Sequence, residues 1–384
     1  MELSELSGLT AEHVVVVGGG VIGLSVAWCA ARAGHRVTVV DPAPASGASH
    51  VAGGMLAPVA EAWPGEEELL ELGAASLHRW PDFADRLARD AGMPSGLRPE
   101  GTLVVGVDSA DRTELDNLAD YLARLGRSVT RHNGRELRRM EPSLGPSVRA
   151  GLSVPGDLAV DNRVALAALR AAATAAGAEF VTARARAVRA GEVELEDSAL
   201  RCDVAVIAAG ARSGDLHPLL SGAIRPVKGE ILRLRARTTA LPPPTRTVRG
   251  PVHGRQVYLV PRDDGGLVVG ATQYEVGFDT EVTVGGVRDL IADAEQVLPG
   301  IAEYALVEAI AGLRPGTGDN LPLLGWLEPG VIAATGHHRN GFLLAPVTAE
   351  AVVALLSGRT PPEEVKAADP GRRISPENGG QQCR

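Results

Sequence analysis

The chain has 384 residues, 45% of them hydrophobic and 22% charged, the make-up of an ordinary folded protein long enough for two cores. A formal net charge of −9 leaves no basic footprint for nucleic acid, and no apolar run reaches the roughly 18 residues of a membrane span. The acidic start MELSELSGLTAEH and three scattered cysteines, Cys29, Cys202 and Cys383, argue against a secretory leader and a disulfide framework, so a cytoplasmic protein without membrane or nucleic-acid partners is expected.

In chain order, residues 14–17 read as a buried strand, 21–33 as a helix ended by Gly34, and 36–40 as a second strand closing on Asp41. A loop of small residues follows, PAPASGASHVAGGMLAP. Residues 66–91 read as a helix, 101–108 (GTLVVGVD) as a strand, and 113–125 and 161–176 as helices. EFVTARARAV, over 179–188, reads as one strand, and GEVELED alternates as a strand does. CDVAVIAAGARSGD runs from a buried strand into a glycine turn. Several strands fill 224–275, a helix covers 287–297, and 330–358 is again strand, glycine turn and helix. Residues 361–384 are polar and carry Pro and Gly, the composition of a frayed tail.

The first unit, VVVVGGGVIGLSVAWCAARAGHRVTVVD, carries G-x-G-x-x-G between a strand and a helix. Gly18 permits the tight turn, Gly20 lets the backbone approach a pyrophosphate, and Gly23 lets the helix pack on the strand. The helix N-terminus then offers free N–H groups and a positive dipole to the phosphates. Asp41 ends the second strand, where a carboxylate can accept ribose hydroxyls. This fingerprint fits NAD and FAD alike. A second glycine turn, Thr335-Gly336-His337-His338-Arg339-Asn340-Gly341, sits far along the chain, again between a strand and a helix. Its helix would aim a positive end at an anionic group, and a reduced flavin is a good candidate.

The pieces VVVVGGGVIG, GGMLAP, PVKGE, VYLVPR, GLVVGAT, AGLRPGTGDNLPLLG and ATGHHRNGFLLAP are spread over residues 13–358. With these, the chain resembles the FAD-dependent amine oxidases of the D-amino acid oxidase and sarcosine oxidase group, and within it the glycine oxidases of thiamine biosynthesis. The resemblance implies an α/β (α+β overall) fold of the D-amino acid oxidase type. A Rossmann-like FAD-binding domain (12–85, 151–220 and 316–360) would be interleaved with a mixed antiparallel-sheet substrate domain (86–150 and 221–315), with 361–384 a flexible tail. It implies FAD contacts from Gly18, Gly20, Val21, Ile22 and Gly23, from Asp41 and Pro42 at the ribose, and from Ala48 and Ser49. Gly53, Gly54 and Met55 would lie along the flavin, and Val188 would meet the adenine end by its backbone. Gly336, His337, His338, Arg339, Asn340, Gly341, Phe342 and Leu343 would wrap the ring. Tyr258, Arg314 and Arg339 would hold the substrate. The family reaction takes hydride from the substrate Cα to flavin N5, giving an imine that water converts to glyoxylate and ammonia. Oxygen is the acceptor that yields peroxide, and relatives are tetramers, so a homo-oligomer is expected.

The residue types suit that chemistry. Guanidinium grips a carboxylate with two charge-assisted bonds, and a phenol can donate a third. Orientation supplies most of the catalysis, and no protein base is required. Gln273 follows VVGAT, where sarcosine oxidases carry a Lys linked with oxygen activation and glycine oxidases an apolar residue; a polar amide leaves pocket size and oxygen rate open. No Cys follows the arginine loop, and His50 stands one residue out of register with a flavin-linking His, so non-covalent FAD is expected. His337 and His338 are adjacent without a ligand set, so no metal is expected. Lys228 of PVKGE reads as a solvated strand residue. A quinone-linked D-amino acid dehydrogenase and a non-catalytic flavin carrier are the competing readings.

Overall fold

The computed structural model describes residues 13–374. Its first half is a six-stranded sheet in the order Leu323–Glu328, Val331–Thr335, Val204–Ile207, His13–Val17, Arg36–Val40 and Glu179–Val181. All neighbours are parallel except the first pair. The central strands are runs of Val, Ile and Ala with every residue of Val14–Val17 and Val204–Ile207 buried, because both faces are covered. Helix Val21–Arg32 packs on one face between Asn162–Ala175 and Gly341–Leu356. Helix Glu67–Ala91 lies over the latter two, and Phe83 meets Trp28 and Trp80 edge-on at 5.1 and 5.4 Å, geometry that the ring quadrupoles favour. A three-stranded meander, Ala185–Arg189, Glu192–Leu195 and Ala199–Arg201, packs on the other face.

The second half is an eight-stranded sheet in the order Ala305–Gly316, Arg225–Arg235, Gly266–Gly270, Arg255–Pro261, Thr247–Val252, Thr102–Gly106, Ala150–Val154 and Thr130–Asn133. It is antiparallel save for the pairing of Thr247–Val252 with Thr102–Gly106. Helix Val284–Val297 seals one face through Leu290, Ala294 and Val297; the other face turns toward the nucleotide-type half.

Several expectations are corrected. Helix Glu67–Ala91 crosses position 85 without a break, and Phe83, Ala84 and Leu87 belong to the core of the first half. Ala150–Val154 is a strand of the eight-stranded sheet, not part of the nucleotide unit, because its partners are Thr102–Gly106 and Thr130–Asn133. The stretch 179–188 is two strands in two sheets. The segment from 361 is not frayed as far as it is described: Val365 and Ala368 are buried in the first core, and Arg372 reaches Asp319 at 3.2 Å; residues 375–384 of the expected tail lie outside the described residues. Finally, His338–Leu356 is long and apolar enough to cross a membrane by length and composition. It is apolar all round because it is a core helix, packed on Val21–Arg32 and Glu67–Ala91.

Candidate cofactor and substrate site

A cleft of about 1150 Å³ runs between the two halves and is lined by both glycine turns and by the eight-stranded sheet. At its first end the turn is shaped by sterics. Gly18 has φ +114°, and a Cβ there would overlap the Ala208 carbonyl. Gly23 serves the turn from inside, since a Cβ would collide with the Gly18 carbonyl. Gly20 caps helix Val21–Arg32 without a side chain, which leaves that end open to an anion. The Val21 N–H donates to Ser49 Oγ at 3.0 Å. Asp41 accepts from the Gly19 and Ala43 N–H groups, each at 2.7 Å, so it locks the turn while facing the cleft.

The second turn closes the cleft from the far side. His337 is buried, its Nε2 3.0 Å from the Thr348 hydroxyl, and burial lowers it to about 3. His338 is also lowered to about 3, by burial first and by Arg339, Arg314 and Arg225 next; both rings are neutral at physiological pH. The Nδ1 of His338 is buried with no protein partner. Helix Gly341–Leu356 starts here with no side-chain cap, so its free N–H groups and positive dipole end at the cleft.

Between the turns, glycines make room for two large side chains. Tyr258 lies between Gly53, where a Cβ would come within 2.7 Å of its ring, and Gly270, where a Cβ would overlap it. Arg314 lies flat on Gly229, where a Cβ would overlap the guanidinium. These contacts account for Gly53 of GGMLAP, Gly270 of GLVVGAT and Gly229 of PVKGE. Arg314 donates Nη1 to the Thr272 carbonyl at 3.2 Å, and among the described residues no carboxylate stands within ion-pair distance of it. Burial raises the Tyr258 phenol, and the neighbouring Arg314 charge partly offsets the rise; the hydroxyl stays protonated and able to donate.

Of the residues singled out from sequence, Val21, Ile22, Ala48, Gly54, Met55, Gln273, Gly341 and Phe342 also line the cleft. Six do not. Gly23 packs within its own turn, and Pro42 is exposed beyond Asp41. Val188 is a buried residue of the meander whose N–H donates to the Leu216 carbonyl at 2.9 Å. Gly336 has φ +80° and abuts Thr317, Asn340 N–H returns to the His337 carbonyl, and Leu343 is in the first core. Arg339 does line the cleft but pairs with Glu66 at 3.2 Å and Glu61 at 3.8 Å. His50 opens onto a separate groove beside Arg163 and Arg170, so its imidazole is not in the cleft. Cys29 and Cys202 are held as thiols, pushed up to about 12 and about 11 by burial.

Three residues were missed. Arg249 sits directly opposite Tyr258 on the paired strand; it donates to the Ala60 carbonyl and pairs with Glu61 at 3.5 Å. Glu61 thus bridges Arg249 and Arg339. Arg262 is buried and donates to the Gly53 carbonyl at 2.8 Å and Asn162 at 3.1 Å, fixing the loop that backs Tyr258. Its motif, VYLVPR, was visible; the strand register that gives Arg249 its neighbour was not.

A profile described as FAD dependent oxidoreductase (DAO) matches residues 13–355. The chain belongs to this family. The structure fits the cofactor: two uncapped helix N-termini face one cleft, Gly18 and Gly20 of the first turn line it with bare backbone, and an orphaned His338 Nδ1 lies in the second turn. FAD would be held by the Gly18–Ile22 turn, Asp41, Ser49 and the His337–Phe342 turn. The chain is 35% identical over 380 residues to a Synechocystis protein named bifunctional protein ThiO/ThiG, a match covering 96% of this chain and 55% of that protein. It spans about half the length of the ThiO/ThiG relatives it matches. It is 32% identical over 354 residues to a glycine oxidase of Geobacillus kaustophilus, covering 89% and 92% of the two chains. The crystal structure of glycine oxidase from Geobacillus kaustophilus superposes with a TM-score of 0.86 at 29% identity, over 95% of this chain and all of that one.

Proposed function

We propose that the protein oxidises glycine, with sarcosine and small D-amino acids as further substrates, and that its imine product serves thiamine biosynthesis. The balanced reaction is glycine, oxygen and water giving glyoxylate, ammonia and hydrogen peroxide. The observation that carries this reading is Arg314, a half-buried cation without a carboxylate partner among the described residues, beside Tyr258 in the FAD cleft.

The two-electron oxidation is the chemistry that FAD supplies when bound. The chain's own residues bind and orient. Arg314 and the Tyr258 hydroxyl take the substrate carboxylate, and the Thr272 carbonyl and Gly229 keep the guanidinium in one plane. Glu61 shares its charge between Arg249 and Arg339, so Arg314, without a carboxylate partner among the described residues, is left for a monoanionic substrate. The substrate amine must be neutral to be oxidised, which requires no acid–base residue of the protein. Glycine and its methylated relatives differ by about 1–3 kcal/mol in an apolar pocket, which supports a graded preference. The names ThiO and glycine oxidase borne by the relatives support the same reading.

The test is addition of glycine to the purified yellow protein without air. Bleaching with recovery of glyoxylate is expected. Retention of colour sinks the proposal, and turnover that needs a dye instead of oxygen replaces the oxidase by a dehydrogenase.

A further inference from the structure

Lys228 of PVKGE is not the solvated residue its strand position suggested. It is 1% exposed. Its backbone pairs in both directions with Tyr274, N–H to carbonyl at 2.9 and 3.0 Å. Its ammonium donates to Asp279 at 2.7 Å and to the Glu281 carbonyl, and lies 3.6 Å from Glu230. Glu230, two residues on and so on the same face of the strand, is fully buried and accepts from the Thr283 N–H at 2.9 Å and hydroxyl at 3.3 Å. The Glu230 N–H donates to the Thr272 hydroxyl at 2.9 Å. Gly286 must lack a side chain because a Cβ would overlap the Glu230 carboxylate.

These bonds converge on residues 271–283, which form no strand of their own apart from the Tyr274 bridge. That segment walls the cleft with Thr272, Gln273, Phe278 and Thr280. It supplies the carbonyl that holds Arg314. Its Phe278 carries the Arg212 guanidinium 3.6 Å above the ring, from the opposite half of the molecule. A segment without a ladder depends on such scattered contacts to keep that wall in register, and the Lys228 and Glu230 bonds are the buried ones among them.

We infer that Lys228 is a positioning residue: with Glu230 it clamps residues 272–283, and through the Thr272 carbonyl it sets the orientation of Arg314 toward the substrate carboxylate. The inference rests on the assignment of that carboxylate to Arg314.

The test uses the full FAD-loaded protein with Lys228→Met, Asp279→Ala and Asp279→Asn. Acetate affinity is read from the perturbation of flavin absorbance, and KM and kcat are measured for glycine. Misplacement of a binding group by about 1 Å costs up to about 100-fold. Lys228→Met is expected to weaken acetate and raise KM about 10-fold with kcat changed less than about twofold, the signature of lost uniform binding. Asp279→Ala moves both the same way by about threefold, and Asp279→Asn, which keeps an acceptor for the ammonium, restores them. Lys228→Met with full FAD and acetate affinity within about twofold of the parent overturns the inference. If Lys228→Met does not fold, Asp279→Ala decides, since Asp279 is 44% exposed; unchanged acetate affinity there overturns it. Arg314→Ala separates the two claims. Loss of acetate binding in Arg314→Ala alone refutes only the clamp, whereas unchanged binding in Arg314→Ala refutes the substrate site itself.

Discussion

Gly270 faces the ring of Tyr258 across paired strands with no room for a methyl group between them. Gly270→Ala therefore displaces the phenol, and the expected loss is one hydrogen bond, about 0.5–1.5 kcal/mol or about 2- to 10-fold in KM for glycine. Tyr258→Phe removes the same hydroxyl without steric push. Equal kinetics for the two variants, with FAD content unchanged, is the expected result; an unaltered KM in both removes Tyr258 from the substrate site.

Arg314→Ala should raise KM for glycine about 10- to 150-fold, the worth of about 1.5–3 kcal/mol for a hydrogen-bonded charge. Its guanidinium rests on Gly229 and bonds to the Thr272 carbonyl, so flavin absorbance per protein should not change. Steady-state kinetics beside an absorbance spectrum checks both halves of the statement.

Gly18→Ala should abolish FAD retention. The residue combines φ +114° with contact against the Ala208 carbonyl, so a Cβ shifts the turn that would meet the diphosphate. A colourless protein with unchanged far-UV circular dichroism is expected. A yellow one means the first turn does not hold the cofactor.

Asp157 gives a pH signature. It is fully buried, accepts the Ala60 N–H at 3.2 Å, and is raised to about 7 chiefly by burial. The native state then keeps a proton that the unfolded chain has released above its ordinary value near 4, so stability falls as pH rises from about 4 to about 7 and levels off above. Asp157→Asn, which needs no proton to be neutral, should gain in Tm over the parent across that window and hold the gain at pH 8. Thermal melts at pH 4 to 8 measure it, and a pH-independent difference contradicts the buried-acid account.

His337 acts with the opposite sign. Burial lowers it to about 3, so between about 6.5 and 3 the unfolded chain binds a proton that the native one refuses, and stability falls as pH falls. His337→Asn should make that acid limb of the melting curve shallower. Parallel limbs in parent and variant mean that the ring is not kept neutral by the fold.

The sequence alone determined the local devices. A strand, a G-x-G-x-x-G turn, a helix and an acid are consecutive in the chain, so their sterics and dipole are set by neighbours within about 30 residues. The second turn was legible for the same reason. Tyr258 and Arg314 stood out by their motifs, but the glycines they rest on, Gly53, Gly270 and Gly229, belong to other motifs along the chain. What only the tertiary structure decided is every relationship that depends on strand register. The burial of Lys228 under a segment some 50 residues away and the place of Arg249 beside Tyr258 follow from which strands pair and with what offset, and the sharing of Glu61 by two arginines and the turning of His50 to another groove follow from where a turn and the short helix Ala48–Val51 pack. A shift of one residue in those ladders would turn Lys228 or Arg249 to the opposite face, and nothing in a single chain of letters fixes that offset.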